Sequence, residues 1–170
     1  MSETVILKTP RLSLVIWGED DAWLVQELHS TMATTRYLSG QAPWSLEKAE
    51  KRLQGWLEEQ ARDGTTKYKI IADDGRFVGR AGISKFGNEQ FELGYSLRER
   101  EWGKGYATEA ASALKEWFFE RGFAPDFIAF THPENIASQR VLKKIGMRER
   151  MPILIDGVLR TAFEITADTR

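Results

Sequence analysis

The stretch ELGYSLREREWGKGYATEA, residues 92–110, passes from a strand-like segment through two glycines into a helix-forming one. ELGYSL reads as a strand. The run of small residues after Gly105 reads as a helix. Between them Gly103, Lys104 and Gly105 make a turn just ahead of the helix start. That placement suits an anion. The first turn of a helix presents unpaired N–H groups at the positive end of its dipole, and glycines let a phosphate approach the backbone. Which phosphate compound the loop would hold depends on the rest of the chain.

Before this stretch, RLSLVIW (11–17) alternates as a strand. GEDDAWLVQELHSTM (18–32) follows as a helix, with Asp20 and Asp21 near its start and Trp23, Leu24 and Leu28 on one face. PWSLEKAEKRLQGWLEEQARDG (43–64) is a second amphipathic helix, with Ser45 as N-cap, a stripe of Leu46, Ala49, Leu53, Trp56 and Leu57, and Gly64 as its stop. The period then changes to two. Residues 67–84 read as two strands joined at Asp73-Asp74-Gly75, and FGNEQ (86–90) turns into a strand over 91–99. A helix over 108–121 stops at Gly122. A short strand occupies 126–130, and a helix runs from Asn135 to Gly146. A final hairpin turns at Asp156-Gly157.

Short turns join only antiparallel neighbours, so the first half of the sheet is expected to be antiparallel. The strand–helix–strand step through residues 108–121 allows one parallel pair. Trp23, Trp56 and Trp117 fall on helical core stripes and read as packing.

The chain has 170 residues, enough for one domain with a full core, and residues 1–170 are read as such. Its net charge of −1 argues against general binding to nucleic acid or to a polybasic-seeking membrane. It has no cysteine, hence no disulfide, thiol nucleophile or thiolate metal site. Two isolated histidines, His29 and His132, make no convincing metal cluster, so no metal is expected. No signal peptide or membrane-length apolar run is present, which makes the cytoplasm the expected compartment.

Several phosphate loops compete for WGKGYAT. A Walker A loop needs G-x-x-x-x-G-K-[ST], and here Lys104 precedes Gly105. A dinucleotide fingerprint needs a third glycine where Thr108 stands, and a parallel unit where a meander precedes. A plain glycine turn is the bland reading.

ELGYSLREREWGKGYATEA together with HPENIASQRVLKKIGM (132–147) resembles the two signature segments of the GNAT superfamily of acyl-CoA-dependent N-acyltransferases. The Q/R-x-x-G-x-G/A signature falls on Trp102-Gly103-Lys104-Gly105-Tyr106-Ala107, with Trp102 in place of Gln or Arg. WGKGYATEA and the opening LKTPRLSLV are similar to the branch of ribosomal-protein-alanine acetyltransferases. The resemblance implies an α/β fold, a mostly antiparallel central sheet flanked by about four helices, with a splayed parallel strand pair at the cofactor slot. It implies acetyl-CoA as cosubstrate and transfer of its acetyl group, by direct attack, to a primary amine. That amine is a protein N-terminus or a small molecule. A non-catalytic acyl-CoA sensor on the same scaffold is the alternative.

The resemblance also assigns residues. N–H groups of Gly103, Lys104, Gly105, Tyr106, Ala107 and Thr108 would hold the pyrophosphate, with Trp102 heading the loop. Backbone groups of Tyr95, Ser96 and Leu97 would bond the pantetheine arm as an added strand. A bulge at GYS (94–96) is one way to open the slot; Gly94 serving only packing is the other. Asn135 would contact the arm while capping its helix. The family's Tyr seven residues after that Asn is Leu142 here, leaving Ser138 as the hydroxyl of this segment that would protonate the leaving thiolate.

Glu92 is the candidate base, sharing side-chain parity with Gly94 and Ser96; His132 and then Glu89 rank behind it. Arg140, Lys143 and Lys144 lie near the ribose phosphate or simply face solvent. The segment 34–44, ending at Trp44, is the expected acceptor loop. Pairing of the last hairpin between two copies, a homodimer, stays open.

Overall fold

The computed structural model describes residues 3–169. The chain runs β1 (Val5–Lys8), β2 (Leu12–Val15), α1 (Ala22–Leu28), α2 (Met32–Thr35), α3 (Leu46–Asp63), β3 (Lys67–Ala72), β4 (Phe77–Phe86) and β5 (Gln90–Leu97). After a 3-10 turn it continues as α4 (Tyr106–Arg121), β6 (Asp126–Thr131), α5 (Ile136–Lys144), β7 (Arg148–Ile155) and β8 (Val158–Thr166). One eight-stranded sheet results, in the order β1-β2-β3-β4-β5-β6-β8-β7. All neighbours are antiparallel except β5 and β6, which share one parallel bridge, Glu92 to Ile128.

Local chemistry fixes the element ends. The Ser45 side chain accepts from the N–H of Lys48, and Gly64 ends α3 in the left-handed region at φ 76°. Gly122 ends α4 in the same way. Asp156 and Gly157 both have positive φ, 50° and 78°, the combination a two-residue type I′ hairpin requires.

Two cores form on opposite faces of the sheet. Alternation along β3 sends Tyr68 and Ile70 to the α4 side, where Ala110, Leu114 and Phe118 meet them. On the other side Trp17, Val25, Leu28, Leu53 and Trp56 pack under α1 and α3. Among the described residues no helix is long and apolar enough to cross a membrane.

The structure departs from the sequence reading in four places. β1 was not anticipated; its four residues, VILK, are too few and too uniform to display a period. A single-turn helix, α2, interrupts the expected acceptor loop, and the sheet carries five helices rather than about four. Trp23 is 62% exposed, not core. Seven-residue α1 buries Val25 and Leu28, which puts position 23 on the solvent side. Finally, no bulge interrupts β5 against β4: the register runs unbroken from Gly79↔Leu97 to Phe86↔Gln90. The slot opens instead because β6 leaves β5 after one bridge and keeps its full ladder with β8.

Two glycines test this packing in opposite directions. A Cβ on Gly82 would stand 1.9 Å from the carbonyl oxygen of Thr66, whereas one on Gly55 in α3 meets nothing within 4 Å. Gly82→Ala is expected to cost about 3 kcal/mol or more in urea unfolding, by overpacking against backbone. Gly55→Ala is expected to stabilise by about 0.5–1 kcal/mol through helix propensity.

Candidate active site

The divergence of β5 and β6 leaves an elongated slot of about 750 Å³ on the α4–α5 side. Tyr95, Ser96 and Leu97 form one wall, the loop from Trp102 through Thr108 closes one end, and Asn135, Ser138 and Val141 of the α5 segment form the other wall. Every residue singled out above for the cofactor therefore borders one cavity, except Lys104. The Lys104 ammonium turns to Glu101 at 3.2 Å, a carboxylate that Arg76 also binds.

The loop has a backbone geometry that suits an anion. Gly103 and Gly105 take φ of 75° and 82°, a conformation that costs glycine least, and no side chain caps α4. Its first-turn N–H groups thus have no capping side chain, and Tyr106, Ala107 and Thr108 border the slot. The nearest competitor, Glu109, is occupied elsewhere: Thr9 and the backbone and guanidinium of Arg11 donate to its carboxylate at 2.5–3.0 Å. Burial alone would raise the Glu109 pKa, but these bonds hold it below the usual value.

Beyond Glu92 the β5 edge facing β6 has no strand partner, so it offers backbone groups to an extended ligand. The carbonyl of Leu97 is an exception, since the indole N–H of Trp102 donates to it at 2.9 Å. Asn135 caps α5 by accepting from the N–H of Ser138 at 3.3 Å, which leaves its amide N–H groups free to donate.

A second cavity, of about 590 Å³, lies on the α3 side. Here Glu92 and Lys67 meet. The Lys67 ammonium donates to Oε2 and the carbonyl of Glu92 and to Ser84 Oγ, each at 2.9 Å, so all three of its protons are used. Burial lowers the Lys67 pKa, partly offset by the charge of Glu92. Glu92 Oε1 makes no hydrogen bond among the described residues. Gly94 leaves it room, for a Cβ there would stand 3.0 Å from Oε1 and 2.9 Å from the Lys67 stem.

The two cavities share Tyr37, Leu38, Tyr95, Asn135 and Ser138. At this junction the hydroxyls of Tyr95 and Ser138 lie 2.9 Å apart. Burial pushes the Tyr95 pKa up to about 12, against the opposing effect of the Ser138 hydrogen bond. The Tyr95 hydroxyl was not foreseen as a functional group. Its signal was strand parity, which sends position 95 to the face opposite Glu92. Leu142 is buried.

The other candidates fall differently. His132 borders the second cavity, but its Nδ1 accepts from the N–H of Glu134 at 3.1 Å. That leaves the proton on Nε2 and no free lone pair for a base. Glu89, Arg140, Lys143 and Lys144 border neither cavity, whereas Arg36 borders the slot. Ala33, Thr34, residues 36–39 and Trp44 line the cavities, while Thr35 is buried. Among the described residues no cluster of His, Cys, Asp or Glu is placed to hold a metal ion.

Beneath Trp44, His29 is buried and stacks on the indole at 3.7 Å. Its Nδ1 pairs with the carbonyl of Val25 at 2.7 Å, and its Nε2 accepts from Arg80 Nε at 3.2 Å. Burial, then the charge of Arg80, lowers its pKa to about 3.

Comparison with known proteins agrees with this geometry. The acetyltransferase (GNAT) domain family matches residues 11–148. Bacillus subtilis (strain 168) YkkB is 41% identical over 156 residues, 86% of this chain and 87% of that one. The N-acetyltransferase YnaD of the same strain is 36% identical over 101 residues, 58% of this chain and 59% of its own length. The solved structure of RimL, a ribosomal L7/L12 α-N-protein acetyltransferase in complex with coenzyme A, superposes with a TM-score of 0.83. The superposition covers 98% of this chain and 99% of that one at 19% identity, a likeness of fold.

The neutral His29 sets a pH dependence. The unfolded chain binds a proton below the ordinary histidine value of 6.5 and the folded chain does not, so stability is full above that value and is lost as pH falls toward about 3. Between neutrality and about pH 4.5 the native protein should lose roughly 2–3 kcal/mol more than His29→Gln, read by urea unfolding at each pH.

Proposed function

The chain belongs to the GNAT acetyltransferase family and is an N-acetyltransferase of the acyl-CoA-using class; we propose that acetyl-CoA occupies the slot between β5 and α5 and that a primary amine reaches it from the α3-side cavity. The observation that carries this reading is the meeting of the two cavities at Tyr95 and Ser138, through the opening where β6 leaves β5.

Bound acetyl-CoA supplies a thioester carbonyl that a neutral amine attacks, the C–N bond forming as the C–S bond breaks. The N–H groups of residues 103–108 hold its pyrophosphate at the α4 terminus. The open edge of β5 holds the amide-bearing arm as an added strand, with Asn135 donating from the opposite wall. Glu92 takes the ammonium proton on Oε1, directly or through water, while Lys67 fixes Oε2. Tyr95 and Ser138 form a hydroxyl pair at the junction that delivers a proton to the departing sulfur and is restored by the proton the nitrogen sheds as the amide forms. The high pKa of Tyr95 keeps that donor charged with its proton at neutral pH.

The test begins with isothermal titration of acetyl-CoA, ATP and NAD into the pure protein, and acetyl-CoA alone should bind. Glu92→Gln should lower kcat by about 10²-fold or more while leaving acetyl-CoA affinity within twofold. Tyr95→Phe and Ser138→Ala should each slow turnover, and the double variant should lose less than the product of the two, because the hydroxyls act as one unit. Full turnover in Glu92→Gln would remove its role as base.

A further inference from the structure

The α3-side cavity carries more positive charge than proton removal from an amine calls for. Seven lysine and arginine side chains border it against three carboxylates, Glu59, Glu92 and Asp156. Three of the cations have acidic partners: Lys51 with Glu47, Lys67 with Glu92 and Lys85 with Asp63. Lys48, Arg52, Arg80 and Arg160 form no ion pair within 4 Å among the described residues, and Glu92 acts on Arg80 only from a greater distance.

Two of these four, Arg80 and Arg160, are buried, while Lys48 and Arg52 are exposed and lie over the tryptophan rings at the cavity rim. Arg80 is only 7% exposed, and its one hydrogen bond, from Nε, goes to neutral His29. Its guanidinium lies 5.7 Å from the Trp56 ring. Arg52 lies 5.9 Å from Trp44 and 6.0 Å from Trp56, and Lys48 lies 4.8 Å from Trp44. Arg160 is buried as well; one of its terminal nitrogens donates to the carbonyl of Tyr37, and its Nε has no partner. Burial, then the charge of Arg52, lowers the Arg80 pKa to about 10, against the opposing charge of Glu92. The terminal nitrogens of Arg80 have no protein acceptor among the described residues and border the cavity, where water or an anionic ligand would pair them.

Geometry sets where that ligand's charge would sit. Arg80 and Glu92 belong to adjacent strands and point to the same face. Arg80 pairs across from Ser96, and Glu92 from Ser84, so the cationic end lies two side-chain rows from the base. A molecule spanning the cavity would thus present its ammonium to Glu92 and a negative group to the arginines.

We propose that the acceptor is a small amine that also carries a carboxylate or phosphate, seated on Arg80, Arg52 and Lys48 over the shelf of Trp44 and Trp56. This rests on the acetyltransferase reading above for the position of the amine. A polyamine or aminoglycoside, lacking any anion, would meet uncompensated repulsion there. A cavity of this size matches a small ligand.

Trp44 and Trp56 provide the readout. Tryptophan emission of the CoA-saturated protein is followed on adding N-acetylphenylalanine or its amide, for the carboxylate, and O-phosphoethanolamine or ethanolamine, for the phosphate. In one arm or both the anionic member should bind at least about tenfold tighter, which is the size of one charge-assisted contact. Arg80→Met should reduce that preference to within threefold, and Arg80→Lys should restore most of it. Turnover with acetyl-CoA, phenylalanine and phenylalaninamide, and with the phosphate pair, should show the same order in kcat/KM. Equal affinities within both arms, no binding in either, or a preference untouched by Arg80→Met would overturn the anion seat. The titration needs no turnover. Selective binding of the anions without acetylation of any amine would overturn the enzyme reading and leave the seat standing.

Discussion

A single parallel bridge, Glu92 to Ile128, is all that joins β5 to β6. Each strand is committed to its other neighbour over its full length, β5 to β4 and β6 to β8. Neither can rotate inward to close the gap without breaking an established ladder. The opening is therefore a fixed consequence of topology, and it does two things at once. It leaves a row of peptide groups on β5 without partners, which only an amide-bearing ligand or water can satisfy. It also connects the α4–α5 face with the α3 face, so groups on opposite sides of a sheet serve one junction.

The polar strip on the α3 face shows what such an opening demands of its surroundings. Lys67 is buried, yet each of its three protons has an acceptor, and one of these is the carboxylate it must balance. Breaking such a pair by removing one partner costs roughly 3–5 kcal/mol, which makes the strip structural as well as chemical. Gly82 and Gly94 belong to the same arrangement. One lets β3 press against β4, and the other leaves space for the Lys67 stem and the Glu92 carboxylate.

Much of this was legible in the residues. Caps and stops at Ser45, Gly64, Gly122 and Asn135 are local chemistry and sit where the sequence places them. So does the Asp156-Gly157 turn. Strand parity put Glu92, Gly94 and Ser96 on one face. What parity along a single strand does not give is the company each side chain keeps. Arg80 acquires meaning only when His29, 51 positions away, and Trp56 of α3 close over it. The Tyr95 hydroxyl finds Ser138 across 43 positions. Of the two readings left open for residues 94–96, a bulge taken from the resemblance or a packing glycine, the ladder with β4 runs without a bulge, and the opening comes from the β6–β8 pairing within residues 126–166, which no short window of sequence displays.

The hydrogen bonds from Thr9 and Arg11 to Glu109 span 100 and 98 positions of sequence. They clamp the turn between β1 and β2 onto the first turn of α4, and the Arg11 guanidinium also covers the Tyr106 ring at 4.5 Å. Closing loops of that length is entropically costly and is compensated only when the intervening sheet is in place. The glycine-loop end of α4 is thus finished by the first strands of the chain, and its final shape depends on contacts with the β1–β2 turn. The order of the glycine loop is thereby coupled to the docking of the N-terminal strands.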